Sequence, residues 1–178
     1  MARPLRHLVV ARHEEDLSWL PVKGWRERVV QKDVDLPNEG REASSYLHAL
    51  HELYPRVSAR TLIACVQGNP FPHCEELKER LLGDFSGFTF LGHWMTSDDR
   101  FGNPNHGGLA LGERFREWLG EEPPERFEFA AGAQFVVSGE LVKSRPRKFY
   151  RDLYELSMTD EQAPWIFERF WGYLWKGT

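Results

Sequence analysis

The chain has 178 residues, enough to fold as one domain around an apolar core without disulfide staples. Hydrophobic residues make up 41 % and include 12 Phe, 7 Trp and 5 Tyr, which excludes an intrinsically disordered chain. The 23 basic and 27 acidic residues are spread along the sequence and leave a net charge of −4, so no global field selects nucleic acid or anionic lipid as a partner.

Residues 8–11, Leu-Val-Val-Ala, form a short continuous apolar run, the pattern of a strand buried on both faces. The run ends in Arg12-His13-Glu14-Glu15-Asp16, and residues 17–20 read as a brief helical turn closed by Pro21. Residues 26–32 predict a second strand around Val29 and Val30, followed by turn chemistry at Asp35-Leu36-Pro37-Asn38. From residue 40 to 54, Ala43, Tyr46, Leu47, Leu50, Leu53 and Tyr54 keep a 3.6-residue period, which predicts a helix with Asn38 as its N-cap. Residues 61–66 give the third strand, which stops at Gln67-Gly68-Asn69-Pro70-Phe71-Pro72.

Residues 73–82 predict a helix with Leu77, Leu81 and Leu82 turned inward, and residues 88–91 a further strand. The longest loop is expected at residues 97–108. Residues 111–119 form a short amphipathic helix, 121–125 a Pro-Glu connector, and 127–137 strand material interrupted at Ala131-Gly132. Ser138 is placed to cap the next segment, and residues 146–156 are helical. Thr159-Asp160-Glu161-Gln162 has the capping-box pattern ahead of the last helix. In that helix Glu168, Arg169, Gly172 and Lys176 form a polar stripe, leaving Trp165, Phe167, Phe170 and Trp171 for the core or for a homodimer contact. The alternation of strands and helices predicts an α/β chain of three layers: a mostly parallel central sheet with helices on both faces. Ligands of such sheets sit beyond the carboxyl ends of the strands.

No run of 18 apolar residues is present, so no membrane-spanning helix is expected. The apolar run at 8–11 is too short for a secretory segment, and Cys65 and Cys74, the only cysteines, read as reduced thiols; a cytoplasmic location is expected. Four constellations carry chemistry. Arg12-His13-Glu14-Glu15-Asp16 follow the first strand, five ionisable side chains of which Arg12 or Glu14 above all is placed to meet a ligand, or which form a solvated turn with Asp16 as N-cap. Asn38-Glu39-Gly40-Arg41 opens a helix, where free N–H groups and a glycine admit an anion, or simply cap the helix. Gln67-Gly68-Asn69, with His73, end the third strand, with ordinary turn-making as the competing explanation. Asp98, Asp99, Asn103 and His106 offer oxygen and imidazole donors for a divalent cation or a substrate.

Together, the segments Val9-Val10-Ala11-Arg12-His13-Glu14, Leu36-Pro37-Asn38-Glu39-Gly40-Arg41, Val66-Gln67-Gly68-Asn69-Pro70-Phe71 and Gly132-Ala133-Gln134-Phe135 resemble a family of uncharacterised bacterial and fungal proteins. That family looks like a compact, distant relative of the glycosyltransferases with the A-type fold. The resemblance implies that His13-Glu14 meets a nucleotide, that Asn38 and Gly40 open a helix at the site, and that Gln134 lies on the acceptor side. Glu168 stands in for the general base by its order along the chain, with Asp98 and Asp99 as other candidates. The superfamily's Asp-x-Asp motif would hold Mg or Mn, but here its place is taken by Gln67-Gly68-Asn69. Arg41 or Arg147 would then neutralise the leaving diphosphate. The expected activity is transfer of a sugar from a nucleotide-sugar to a hydroxyl acceptor. A non-catalytic sugar- or nucleotide-binding or protein-interaction domain, and a metal-dependent hydrolase, stand as alternatives.

Overall fold

The computed structural model describes residues 4–97 and 106–175. Asp98, Asp99, Asn103 and Lys176 lie outside the described residues. The chain builds one five-stranded sheet in the order β2-β1-β3-β7-β4, from β1 (Arg6–Arg12), β2 (Arg26–Gln31), β3 (Leu62–Gln67), β4 (Phe88–Phe90) and β7 (Phe135–Ser138). β1 pairs in parallel with β2 and β3, whereas β7 pairs antiparallel with both β3 and β4. The sheet is therefore mixed, not mostly parallel. The strand material predicted at 127–137 is interrupted at Ala131-Gly132 as expected, but its two halves belong to different sheets: β6 (Phe127–Ala130) leaves the main sheet and pairs with β5 (Trp94–Ser97). The break at Ala131-Gly132 separates two sheets, a long-range outcome that local pattern does not encode.

Both faces of the sheet are buried, and side chains alternate between two apolar clusters. Val9, Ala11, Ile63, Cys65, Phe135 and Val137 point to one cluster; Leu8, Val10, Leu62, Ala64, Val66 and Val136 point to the other. This is why the strands read as continuous apolar runs. The first face is covered by α1 (Arg41–Leu53), α5 (Arg147–Thr159) and α6 (Ala163–Phe170), with α3 (Leu111–Leu119) packed alongside and a short α4 (Gly139–Lys143) after β7. The second face is covered chiefly by irregular chain. No helix forms at residues 17–20; Trp19 and Trp25 seal this face instead. Their indole N–H groups donate to the carbonyls of Gly68 at 2.8 Å and Leu81 at 2.9 Å. Among the described residues the only helix on that side is α2 (Leu77–Leu81), far shorter than residues 73–82, and Leu82 is 62 % exposed instead of facing inward.

The C-terminal helix also departs from expectation. Phe167, Phe170 and Trp171 are fully buried in the chain's own core, the first of the two placements expected for them, while Trp165 is half-buried. Arg169, expected on a solvent-facing stripe, is 1 % exposed. The helix is not opened by a capping box: Gln162 is its N-cap residue, and the Gln162 N–H donates to Asp160 Oδ1 at 2.9 Å. No helix among the described residues is long and apolar enough to cross a membrane. Both cysteines are free and buried.

Candidate functional site

The carboxyl ends of β1, β2 and β3 and the amino end of α1 converge on a cleft of about 330 Å³. Its lining includes Arg12, His13 and Glu15 after β1, Lys32 after β2, Asn38, Arg41, Glu42 and Ser45 at the start of α1, and Gln67 and Asn69 at the end of β3. Four segments distant in sequence thus meet because the parallel core β2-β1-β3 ends on one edge and α1 starts there.

The rim is a fixed hydrogen-bond mesh. Arg12 donates through Nε to the Glu15 carbonyl at 2.9 Å and through NH1 to Gln31 Oε1 at 2.6 Å. Gln31 Nε2 in turn donates to the carbonyls of His13 and Lys32. The His13 imidazole sits 3.1 Å from Asn38 Nδ2 and 3.4 Å from Asp33 Oδ2, tying the β1 turn to the segment that opens α1. Asn38 is thus engaged with His13 and does not cap the helix; the N-cap residue is Gly40, with no side-chain cap. Glu15, and not Glu14, faces the cleft: its carboxylate accepts from the His13 N–H at 2.6 Å and lies where a Cβ on Gly68 would sit. Glu14 is exposed.

Lys32 is 4 % exposed and holds the loop between β2 and α1 from below. Its ammonium donates to the carbonyls of Pro37 and Glu39 and to Ser44 Oγ, three acceptors for three N–H groups. Burial pulls its pKa down to about 8, opposed by Glu42, Glu39 and Asp33. Gly40 was expected to give a phosphate room for close approach. The structure gives it a packing role: at φ 67°, a Cβ there would lie 2.5 Å from the Ser157 carbonyl of α5 and 2.8 Å from Ser44 Cβ. Gly40→Ala is expected to cost about 1–3 kcal/mol by overpacking and backbone strain, read as a lower urea midpoint at unchanged slope.

Arg41 also has positive φ, 46°, an uncommon conformation for a non-glycine residue. It places a 62 % exposed guanidinium at the mouth, 5.8 Å from the Trp165 ring and 3.8 Å from Glu42 Oε2. Glu42 forms the floor, with its side chain 13 % exposed. Burial raises its pKa, and the charge of Glu168 adds to this, while its own backbone N–H, Arg41 and a hydrogen bond from Gln67 oppose it. One turn on, Ser45 and Tyr46 are fully buried, and their hydroxyls have no hydrogen-bond partner among the described residues.

Glu168 does not line this cleft; it backs Glu42 from α6. Its Oε1 accepts from the Gly132 N–H at 2.9 Å and its Oε2 from Arg169 NH1 at 2.8 Å. Arg169 also donates to the Trp165 carbonyl at 2.8 Å and lies 4.6 Å from the Phe129 ring centroid. His106 stacks near Trp165, centroids 5.1 Å apart, and its pKa is lowered by burial and by Arg169. Gln134 is buried away from the lining, donating from Nε2 to the Pro70 carbonyl at 2.9 Å. Arg147 binds the His51 carbonyl near the far end of α1, roughly 15 Å along the helix from Arg41 at 1.5 Å per residue, and so cannot face the same diphosphate.

Of the anticipated site residues, the structure brings Arg12, His13, Asn38, Arg41, Gln67 and Asn69 into one cleft and leaves Glu14, His106, Gln134 and Glu168 outside its lining. Sequence reasoning held Glu15 only as a member of the Arg12–Asp16 turn and missed Lys32, Glu42 and Ser45. Glu42 had a readable signal: it lies on the same helical face as Tyr46, Ala49 and Leu53, where a lone carboxylate stands out. Among the described residues no three His, Cys, Asp or Glu side chains gather as a metal-holding set, and the amides of Gln67 and Asn69 do not fit Mg or Mn at the end of β3.

The model of one protein family, described as "Protein of unknown function (DUF3431)", matches residues 72–178, well over half of the chain. The matched part runs from α2 through α6 and includes Gly132 and Glu168; β1, β2, α1 and β3 lie before it. No curated protein and no solved structure matches the chain.

Proposed function

We propose, for a chain that belongs to the DUF3431 family, that it transfers a sugar from a nucleotide-sugar donor to a hydroxyl acceptor. The observation that carries this reading is the single cleft in which cationic side chains of Arg12, Lys32 and Arg41 surround a buried carboxyl, Glu42, at the ends of three parallel strands. The donor's diphosphate pairs with the guanidinium of Arg41 at the mouth, and Lys32 adds positive potential from beneath. The meeting of His13 with Asn38 supports an A-type-fold arrangement, in which the turn after the first strand and the segment opening the next helix share the nucleotide.

The test is release of nucleoside diphosphate from a panel of nucleotide-sugars offered with mixed sugar acceptors. Release above the rate without protein, from at least one donor, is the expected outcome. Binding of a donor with no release would favour the second reading, a non-catalytic binding domain, which the neutral amides of Gln67 and Asn69 support. The hydrolase reading rests on Asp98, Asp99 and His106, with His73; of these, Asp98 and Asp99 lie outside the described residues.

A pH dependence follows from Lys32. Its folded pKa of about 8 lies below the ordinary lysine value, so the ammonium is charged at pH 7 and loses its proton as pH rises through 8. Affinity for nucleoside diphosphate should fall between pH 7 and 9, measured calorimetrically at constant ionic strength. The protonation balance also has a stability sign: between pH 8 and the unfolded value of 10.5, the unfolded chain binds more protons, so this residue's contribution to stability rises with pH.

A further inference from the structure

We propose that Glu42 is the catalytic base, taking the proton of the acceptor hydroxyl, with Glu168 as its positioning residue. This rests on the glycosyl-transfer reading of the cleft. Three observations lead to it. Glu42 is the carboxyl that projects from α1 into the floor of the cleft, 13 % exposed and fixed by Gln67 and by its own backbone N–H. Ser45, three residues on, lines the same floor with a fully buried hydroxyl that has no partner among the described residues, an available hydrogen-bond group beside the carboxyl. Glu168, in contrast, has both oxygens engaged, by Gly132 and Arg169, and holds a negative charge behind Glu42.

The step balances as follows. The acceptor oxygen attacks the anomeric carbon and forms the new C–O bond while its proton passes to a Glu42 oxygen. The bond from the anomeric carbon to the diphosphate oxygen breaks, and the electron pair leaves with the nucleoside diphosphate beside Arg41. Proton transfer of this kind needs a carboxyl whose affinity for protons is raised toward neutrality. The charged or titratable groups that act on Glu42 are Lys32 after β2, Arg41 and Tyr46 on its own helix and Glu168 on α6, and Gln67 supplies a neutral amide. Glu168 is the group in that set that pushes the carboxyl toward protonation alongside burial.

The experiment compares the full chain with Glu42→Gln, Glu42→Asp and Glu168→Gln. With a donor that turns over, Glu42→Gln should lower kcat by about 10²- to 10⁴-fold with donor Kd changed by less than about threefold. Glu42→Asp should recover part of the loss. In the unsubstituted chain kcat/KM should rise with pH along a limb above the ordinary carboxylate range, and Glu168→Gln should move that limb down. Glu42→Gln retaining more than about a tenth of kcat, or an unmoved limb in Glu168→Gln, overturns the assignment while leaving transfer itself intact. If no donor turns over, the transfer reading fails, and NMR titration of side-chain carboxyls decides the Glu42–Glu168 coupling alone. Using Glu42→Gln to assign the signal, a Glu42 carboxyl titrating in the ordinary range, or unmoved by Glu168→Gln, overturns it.

Discussion

Arg169→Ala destabilises the fold by about 3–5 kcal/mol, the range for removing one partner of a buried ion pair. The guanidinium is 1 % exposed, satisfies Glu168 and the Trp165 carbonyl, and packs on Phe129. Its loss leaves a carboxylate behind the cleft without its cation and opens a void among aromatic rings. Against a typical total stability of roughly 5–15 kcal/mol this is a large fraction, readable as a lower urea midpoint. A cost below about 1 kcal/mol would mean that the pair does not organise this wall. The effect reaches the cleft as well, because Glu168 acts on Glu42.

Arg41→Ala carries the second large effect, on binding instead of folding. The side chain is 62 % exposed and packs loosely near Trp165 and Glu42, so stability should change by less than about 0.5 kcal/mol. Affinity for nucleoside diphosphate should fall by about 10- to 100-fold, the worth of a charge-assisted hydrogen bond of about 1.5–3 kcal/mol. Equilibrium titration of both proteins at one salt concentration checks it, since an exposed cation's contribution is screened by ions.

The strands at the heart of the sheet were legible because their burial on both faces leaves an unbroken apolar run, as at residues 8–11 and 61–66. α1 was legible through its 3.6-residue period. The second face was not, because Trp19 and Trp25 seal it from irregular chain that has no period to read. The break at Ala131-Gly132 was legible, but not that its two sides join different sheets: each is a short apolar run, and only their partners, β5 for one and β3 with β4 for the other, assign them. Arg169 reads as a surface residue until Glu168, Phe129 and the Trp165 carbonyl are brought to it by the fold.

The candidate site divides in the same way. Strand-end position was enough to select Arg12, His13, Gln67 and Asn69, and helix-start position selected Asn38 and Arg41. Position does not say which side chains turn inward. Glu15 and Glu14 are neighbours of the same type, and the approach of Glu15 to Gly68, across the cleft in sequence, distinguishes them. The packing demand on Gly40 was not legible because its neighbour in space, the Ser157 carbonyl, comes from a helix more than a hundred residues later.

Thermal unfolding of the unsubstituted chain with nucleoside diphosphates and their sugar conjugates bears on the cleft with the fewest intermediate steps. Binding to the folded state should add roughly 2.7 kcal/mol at about 100 times the dissociation constant. For a chain of this length that corresponds to a midpoint rise of about 5–10 °C. The cleft described here predicts such a rise with at least one of these ligands, and its loss in Arg41→Ala at the same ligand concentration. No rise with any of them, or an equal rise in Arg41→Ala, would contradict it.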